Sequence, residues 1–498
     1  MLVQALKTLG PCLSTDLAAY LVDNHGLSPA AARQRISRAP PGVKRLGHLP
    51  FPRRARFIYL EDSFASFLYW ENLYKAIHDL GGPYSRALNA VLARGVVPVE
   101  HFRGACGSPI SQKKQISADA ALERLIKANV LVKASVGGLG ECVMTKQMSE
   151  LIFRGVNQTV NETRSRLIAE EILLEYIKDW SRRLGMVSYG SVKTRESKGK
   201  ELPRVGTFAW DFTAPSYISG LSDWANGAIK PGFFVCDLLL KDQVSQQDIE
   251  PFVNKIKTLK ALRKIGRQFP VFVAGSYQLD AFKLLRENGV IPATVENLFG
   301  KETAESFKEL MKVLMKAAEG VLNPEKLDEL IGRLGKVEGA VRNMRGALFE
   351  FLVAEVIRKE SPAEVEVSKI LKAKSGSAEV DVWELKSGVV ARAIECKGIN
   401  PSGYVDEKEI DVWLRKRIIR VREYLDSIGW NGPKPRFELW TSGRLTDDSL
   451  ERIKNTREAN KNKFEIVAFD SMSVFGKIRK YNDKSLMAVY ANNYCDAW

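Results

Sequence analysis

The chain has 498 residues, and 75 Lys and Arg against 59 Asp and Glu give it a formal net charge of +16 at pH 7. Hydrophobic residues make up 45% of the chain, which is enough for packed cores and excludes a wholly disordered protein. The length predicts roughly three domains of about 150 residues each. Since no run of eighteen apolar residues and no secretory leader occur, we expect a cytoplasmic protein without membrane contact.

Cysteine and histidine are too scattered for two common kinds of site. The six cysteines contain no C-x-x-C pair, and the four histidines all lie before residue 102. Structural zinc requires four ligands in short paired spacings, which are absent. A hydrolase that depends on histidine is also disfavoured, because most of the chain contains none.

Residues 1–60 carry a concentrated positive charge. They hold nine basic and two acidic residues, a local charge of +7. A concentrated patch is a better sign of a polyanionic partner than a diffuse excess. We therefore expect this segment to contact a nucleic acid.

The same segment predicts three helices followed by a hairpin. The helices span 2–9, 14–21 and 30–39, with Ser28 as N-cap of the third, and strands follow at 43–46 and 56–60. This order resembles a winged helix-turn-helix, in which the third helix enters the major groove and the hairpin contacts phosphates. The resemblance implies DNA contact through Arg33, Arg35, Arg38, Lys44, Arg45, Arg53 and Arg54. The alternative is that these are ordinary solvated side chains.

Residues 71–148 repeat this order with less positive charge. Helical patterns at 73–80, 85–93 and 118–128 precede strand patterns at 130–134 and 141–145. We expect a second winged-helix-like module that serves for packing or dimerisation. The sequence thus places a first module at 1–66 and a second at 67–150.

The central segment predicts an alternation of helices and strands. A long helix at 164–184 precedes a strand at 208–213 that contains Asp211 and an apolar strand at 233–240 that contains Asp237. A helix at 249–266, a strand at 271–274, a helix at 281–288 and a strand at 290–295 follow. This alternation predicts an α/β domain at 151–320.

The C-terminal segment, 321–498, carries the candidate catalytic residues. A helix at 341–359 contains Glu350, a strand at 378–384 contains Asp381, and the apolar strand 389–398 ends in Glu395-Cys396-Lys397. Side chains two apart on a strand project from the same face, so Glu395 and Lys397 lie together and Asp381 reaches them if the strands pair. Two carboxylates can hold Mg²⁺ or Mn²⁺, and the lysine can orient or deprotonate an attacking water.

These residues resemble the PD-(D/E)XK, or restriction-endonuclease-like, nuclease superfamily. The resemblance covers roughly residues 340–470 and continues with a helix at 407–428, a strand at 437–441, a helix at 447–458 and a strand at 464–469. It implies that Asp381 and Glu395 bind the metal, that Lys397 assists the water and that Glu350 is an auxiliary acid. Val380 stands where the family pattern has proline. Lys408, on the helix after Lys397, is a candidate supporting residue.

The central segment follows the same order of elements without the same charges. Asp211 falls where Asp381 does and Asp237 where Glu395 does, but Leu239 occupies the lysine position. We therefore expect a degenerate nuclease-like domain that acts as a scaffold. The predicted architecture is multidomain α/β, with winged-helix (α+β) modules followed by two restriction-endonuclease-like α/β/α domains, the first degenerate.

The sequence thus predicts a metal-dependent DNA endonuclease, and the resemblance suggests prokaryotic restriction or antiphage defence. Since symmetric cutting of both strands needs two active sites and the chain has one candidate, a homodimer or a partner subunit is expected. Two alternatives stay open. One is a DNA-binding regulator or scaffold that does not cut, and the other is a nuclease of repair, recombination or RNA.

Overall fold

Helices and mixed sheets make up the fold, which is multidomain and mixed α/β. The computed structural model describes residues 1–195, 202–225, 228–262, 265–361 and 363–495. The chain forms two compact units. The first comprises residues 1–134, 141–159 and 185–294, and the second comprises 135–140, 160–184 and 295–498. Residues 160–184 and 295–320 of the expected central domain belong to the second unit and the rest of that domain to the first. The bounds of the four expected domains stay a prediction.

The first 60 residues of the first unit form helices and a small sheet. Their elements are α1 (Leu2–Leu9), β1 (Cys12–Leu13), α2 (Ser14–His25), α3 (Pro29–Ser37), β2 (Val43–Arg45) and β3 (Phe57–Leu60). The strands pair in the order β1-β3-β2. Helix α3 starts where predicted, because Ser28 Oγ accepts a hydrogen bond from the Ala31 N–H and Pro29 occupies the first turn.

A second set of elements follows the same order. It comprises α4 (Phe67–Leu80), α5 (Gly82–Arg94), β4 (Val97–Pro98), α6 (Val99–Ala105), α7 (Ala118–Lys127), β5 (Leu131–Val136), β6 (Gly140–Thr145) and α8 (Lys146–Phe153). From α5 to β6, the sequence of helices and strands repeats that of α1 to β3, and the sheet order β4-β6-β5 matches β1-β3-β2. Phe57, Trp70, Leu88 and Phe102 lie in one apolar core that both sets share.

The long helix α9 (Gln158–Arg183) comes next in the chain, and residues 160–184 belong to the second unit. The rest of the first unit surrounds a five-stranded sheet. Its elements are β7 (Lys193–Thr194), β8 (Arg204–Val205), β9 (Phe208–Ala209), β10 (Phe212–Ser216), β11 (Asp223–Ala225), β12 (Ala228–Lys230), β13 (Gly232–Leu239), α10 (Gln246–Lys260), β14 (Gln268–Ala274), α11 (Leu279–Glu287) and β15 (Ile291–Thr294). Asp211 lies in the bend between β9 and β10, and not within a single strand at 208–213 as expected.

The second unit is built around a second five-stranded sheet. After α9 it comprises α12 (Val295–Phe299), α13 (Lys301–Ala318), α14 (Pro324–Leu334), α15 (Glu338–Glu360), β16 (Glu364–Ala373), β17 (Gly376–Lys386), β18 (Val390–Lys397), α16 (Glu407–Val412), α17 (Ile418–Ser427), β19 (Arg436–Thr441), α18 (Asp447–Asn460), β20 (Glu465–Phe469), α19 (Ser471–Arg479) and α20 (Lys484–Tyr494). One π-helical turn, Trp413–Arg417, separates α16 from α17. The helix expected at 407–428 is therefore interrupted.

The two large sheets have the same topology. Their strand orders are β7-β10-β13-β14-β15 and β16-β17-β18-β19-β20. In each sheet the first two pairings are antiparallel and the last two are parallel. The register also corresponds, because Phe212 pairs with Cys236 in the first sheet as Val382 pairs with Ile394 in the second. The repeat expected from the order of elements is therefore present in the strand pairing.

A network of charged side chains supports the second sheet on one face. Arg392 of β18 lies within 3.1 Å of Glu384 and 3.7 Å of Glu438, two carboxylates that are fully buried. Arg392 Nη1 and Lys477 Nζ donate hydrogen bonds to the two oxygens of Glu360, at 2.7 and 2.9 Å. Side chains alternate along β18, so Arg392 points away from the face that carries Glu395 and Lys397. The central strand is thereby fixed from the opposite side.

Across residues 1–195, 202–225, 228–262, 265–361 and 363–495, no helix has the length and apolarity that crossing a bilayer requires.

Candidate active site

Asp381 and Glu395 lie next to each other on the two central strands of the second unit. The register that pairs Val382 with Ile394 makes them the following pair. Asp381 Oδ2 accepts a hydrogen bond from the Cys396 backbone N–H at 2.8 Å. Both residues are buried. Strand periodicity thus places the two carboxylates together, as the sequence predicts.

Lys397 completes this cluster from the same face of β18. Its ammonium lies 3.0 Å from Glu395 Oε1 and 3.0 Å from Oε2 of Glu409, on α16. Burial lowers the pKa of Lys397, but the negative charges of Glu395, Asp381 and Glu409 outweigh it, so the pKa is raised above its ordinary value. In this arrangement the lysine keeps its proton and acts as a positive charge, and not as a base.

Glu350 lies on α15 and is held by two partners. Its Oε2 accepts hydrogen bonds from Arg164 Nη2 of α9 at 2.6 Å and from the Ser368 hydroxyl of β16 at 3.2 Å. Burial raises the pKa of the Cys396 thiol well above its ordinary value, and the charges of Asp381, Glu350 and Glu395 raise it further. Each of the three carboxylates therefore disfavours ionisation of the Cys396 thiol.

Arg417 joins the site although the sequence did not single it out. The π-helical turn ends at Arg417, and its Nη1 donates hydrogen bonds to both oxygens of Glu395. Burial lowers the pKa of Arg417, but the charges of Glu395 and Asp381 raise it, with a net upward shift. Lys408, the helix residue suggested by the sequence, is exposed.

The donor set fits a hard divalent ion only in part. Asp381 and Glu395 supply carboxylate oxygens, which Mg²⁺ prefers, and Mg²⁺ keeps several waters when it binds few protein ligands. Within the part of the chain that the structure describes, no three His, Cys, Asp or Glu side chains are grouped as around a metal ion. The two oxygens of Glu395 are also engaged by Arg417. An ion at this pair would therefore take most of its ligands from water and would compete with Arg417.

The corresponding positions of the first unit are Asp211 and Asp237. Asp211 Oδ2 accepts a hydrogen bond from the Leu238 N–H at 2.9 Å, the same contact that Asp381 makes with Cys396. Asp237 Oδ1 accepts from the Asp211 N–H at 3.1 Å. Leu239, at the lysine position, is fully buried. The acidic pair is thus retained in this sheet without a lysine on the strand.

A lysine from helix α10 reaches the acidic pair instead. Lys255 Nζ donates hydrogen bonds to Asp237, to the Ala209 carbonyl at 2.8 Å and to the Gly104 carbonyl at 3.1 Å. It also lies 4.1 Å from the centre of the Trp210 ring. Burial raises the pKa of Asp237, and the Lys255 ammonium opposes that shift. A positive charge therefore balances Asp237 inside the core.

Six of the seven basic residues expected to contact DNA are exposed, and Lys44 is partly buried. Arg33 and Arg35 lie on α3, Arg38 follows its last residue, and Arg53 and Arg54 lie in the loop between β2 and β3. Several of the seven have hydrogen-bond or ion-pair partners within the module, and Arg33 Nε donates to the Pro29 carbonyl. Lys44 lies 3.3 Å from Glu61, and Arg45 Nη2 donates to the carbonyls of Ile36 and Ser37 at the end of α3.

The loop between β2 and β3 also lines a basic cleft. Arg53 and Arg54 both have positive φ, a backbone conformation that is uncommon for residues other than glycine. The cleft has a volume of about 400 Å³, and its polar lining consists of His48, Arg54, Arg56 and Arg124. Arg124 comes from α7, so sequence spacing alone could not associate it with the loop. The structure thus places Arg56 and Arg124 in the same cleft as Arg54.

No family model matches this chain, and no curated protein matches it. Among solved structures, the chain is similar to one described as "Crystal Structure of Protein of Unknown Function AF1548". That match has 17% identity, covers 24% of this chain and 58% of that chain, and has a TM-score of 0.16. The chain therefore spans little more than half of that structure, and a likeness of this size carries no argument about fold or function.

Proposed function

We propose that this protein is a divalent-metal-dependent nuclease that hydrolyses phosphodiester bonds of DNA. The observation that carries the proposal is the assembly of Asp381, Glu395 and Lys397 on one face of two central strands. Burying a carboxylate costs free energy unless a cation balances its charge. Their position at the middle of a sheet therefore favours a chemical role over a solvated surface cluster.

In this proposal each residue has a defined task. Asp381 and Glu395 would hold Mg²⁺ or Mn²⁺, and the bound ion would lower the pKa of a water and polarise the phosphate. Lys397 carries its proton and offsets negative charge that develops on the scissile phosphate. Glu350 is oriented by hydrogen bonds from Arg164 and Ser368 and would serve as an auxiliary acid.

The N-terminal modules support DNA as the substrate. The order of helices and strands and the sheet order β1-β3-β2 are those expected of a winged helix, and exposed arginines lie on α3 and in the following loop. Phosphate contacts of this kind position a duplex without reading its sequence. A role in restriction or antiphage defence, and a second subunit for symmetric cutting, follow from the family resemblance and belong to the same proposal.

A second candidate function is a DNA-binding scaffold that does not cut. It is favoured by the ion pairs that Glu395 forms with Arg417 and Lys397, since these already neutralise the carboxylate. The two candidates differ in whether a divalent ion enables cleavage.

A plasmid assay separates the two functions. We expect the wild-type protein to nick or linearise supercoiled DNA with Mg²⁺ or Mn²⁺, and Asp381→Ala and Lys397→Ala to cut at least roughly 100-fold more slowly. Lys386→Ala is the matched control, because Lys386 is an exposed lysine on the adjacent strand. Cutting that survives Asp381→Ala would reject this site. Binding of DNA without cutting, under every metal condition, would favour the scaffold.

A further inference from the structure

Both sheets place a cation from the following helix on the second carboxylate of the acidic pair. In the first unit, Lys255 of α10 contacts Asp237. In the second unit, Arg417 of the π-helical turn contacts Glu395. Asp237 and Glu395 occupy equivalent positions, because Asp237 directly follows Cys236, which pairs with Phe212, and Glu395 directly follows Ile394, which pairs with Val382. The helix cation is therefore a shared feature of the two sheets, although one is a lysine and the other an arginine.

The two cations differ in how firmly they are held. The Lys255 side chain is 1% exposed, and its ammonium also bonds two backbone carbonyls. The Arg417 side chain is 34% exposed, and the hydrogen bonds of its guanidinium go to Glu395. Moving Lys255 would strip an ammonium and a carboxylate of partners in the core, which is costly. Moving Arg417 returns a partly hydrated guanidinium to water, which costs much less.

We propose that Arg417 is a releasable cation that occupies Glu395 until a divalent ion displaces it, whereas Lys255 occupies Asp237 permanently. The inference rests on the proposed function for the identity of the metal site. It assigns Arg417 as a positioning residue that keeps the acidic pair neutral and correctly placed before the metal binds. Of the two acidic pairs, only Asp381 and Glu395 would then bind a divalent ion.

Electrostatic repulsion gives the physical reason for the exchange. Lys397 already lies 3.0 Å from Glu395 Oε1. A divalent ion at Glu395 would bring a third positive group to one carboxylate in a partly buried setting, where like charges repel strongly. Arg417 is more exposed than Lys397, so it is the cation that can leave Glu395 when the divalent ion binds. A guanidinium released beside the acidic pair is well suited to bind a phosphate group through two parallel hydrogen bonds.

The test is the binding of Mn²⁺ alone, measured by isothermal titration calorimetry without DNA. We expect one site per chain in the wild type, and an affinity roughly tenfold or more tighter in Arg417→Ala, because the competing charge is gone. Arg417→Gln is the second variant, since it keeps a polar side chain if alanine disturbs the fold. Arg415→Ala is the matched control, because Arg415 is an exposed arginine of the same π-helical turn. Glu395→Gln should abolish the site.

Each outcome has a defined meaning. Unchanged or weaker Mn²⁺ binding in both Arg417 variants overturns the proposal, as does an absence of binding in every variant. A second site that disappears in Asp237→Asn overturns the statement about Lys255. Tighter binding in the Arg417 variants without any DNA cleavage leaves the inference standing and rejects the nuclease function instead.

Discussion

Lys255 and Lys397 show how the surroundings of one residue type decide its role. Both ammonium groups contact a buried carboxylate at equivalent places in two similar sheets. Lys255 is enclosed by carbonyls and the Trp210 ring, whereas Lys397 faces the exposed Glu409 and keeps 17% of its side-chain surface accessible. The first arrangement suits a structural charge, and the second suits a group that meets a substrate.

The structural role of Lys255 leads to a prediction about stability. Lys255→Ala leaves Asp237 unpaired in the core, and we expect a loss of about 3–5 kcal/mol in the free energy of unfolding at pH 7.5. The loss should be smaller at pH 5, because burial favours the protonated form of Asp237. Urea unfolding followed by tryptophan fluorescence measures both values. Lys257→Ala is the control, since Lys257 is exposed on the same helix; equal effects of the two changes would contradict the prediction.

Glu360 supplies a prediction about pH. Burial raises its pKa, but the hydrogen bonds from Lys477 and Arg392 outweigh burial, so the pKa in the folded protein lies below its ordinary value of 4.5. Ionised Glu360 therefore stabilises the fold above that value, and the stabilisation is lost as the pH falls through the lowered pKa. We expect Glu360→Gln to cost about 1–3 kcal/mol at pH 7 and progressively less as the pH falls below 4.5 and through the lowered pKa.

Urea titrations of wild type and Glu360→Gln at several pH values provide the measurement. Glu364→Gln is a suitable control, because Glu364 is an exposed carboxylate at the start of β16. A difference between wild type and Glu360→Gln that stays constant from pH 7 down to the pH of acid unfolding would show that the charge of Glu360 is unimportant.

At the scale of single elements, strand β18 explains why part of the site could be predicted. An apolar run that ends in Glu-x-Lys is typical of a buried strand, and β18 is the middle strand of its sheet. The period of two then fixes that Glu395 and Lys397 share a face and that Arg392 and Cys396 lie on the other. Such rules concern residues within one or two neighbouring strands, where geometry depends little on the rest of the fold.

Helix residues of the site could not be predicted in the same way. The π-helical turn Trp413–Arg417 shifts the helical phase, so a regular 3.6-residue period does not place Arg417 on the correct face of the helix. The role of Lys255 could not be predicted either, because a lysine in a helix is usually expected at the surface. Arg164 and Arg124 reach their partners from elements that are distant in sequence. These contacts depend on tertiary packing, which local patterns do not encode.

Across the whole molecule, the +16 charge is distributed unevenly, and its densest region is the N-terminal module. Arg35 on α3 and Arg38 directly after it are exposed, while Lys44 forms an ion pair with Glu61 and Arg45 donates to the Ile36 carbonyl. Net charge alone therefore overstates how many groups are available to a nucleic acid. The arginines of α3 and of the loop cleft are the ones to test first.

DNA affinity measured over a range of salt concentrations tests the α3 arginines. We expect the double variant Arg35→Ala, Arg38→Ala to bind duplex DNA more weakly and to flatten the plot of log affinity against log salt by about 2 units, because each arginine neutralises one phosphate. The double variant Lys461→Ala, Lys463→Ala removes the same charge from exposed positions in the second unit and should leave the slope unchanged. If both double variants behave alike, the binding surface lies elsewhere.

The discontinuity of the second unit has a consequence for biosynthesis. Helix α9 leaves the ribosome early, yet the rest of its unit, apart from residues 135–140, begins at residue 295. The first unit can finish folding once residue 294 has been made, while α9 still exposes the apolar side chains of Leu173 and Ile177, which are buried in the folded protein. The acidic pair at Asp381 and Glu395 is therefore assembled only after the first unit, with its exposed N-terminal arginines, has been synthesised in full.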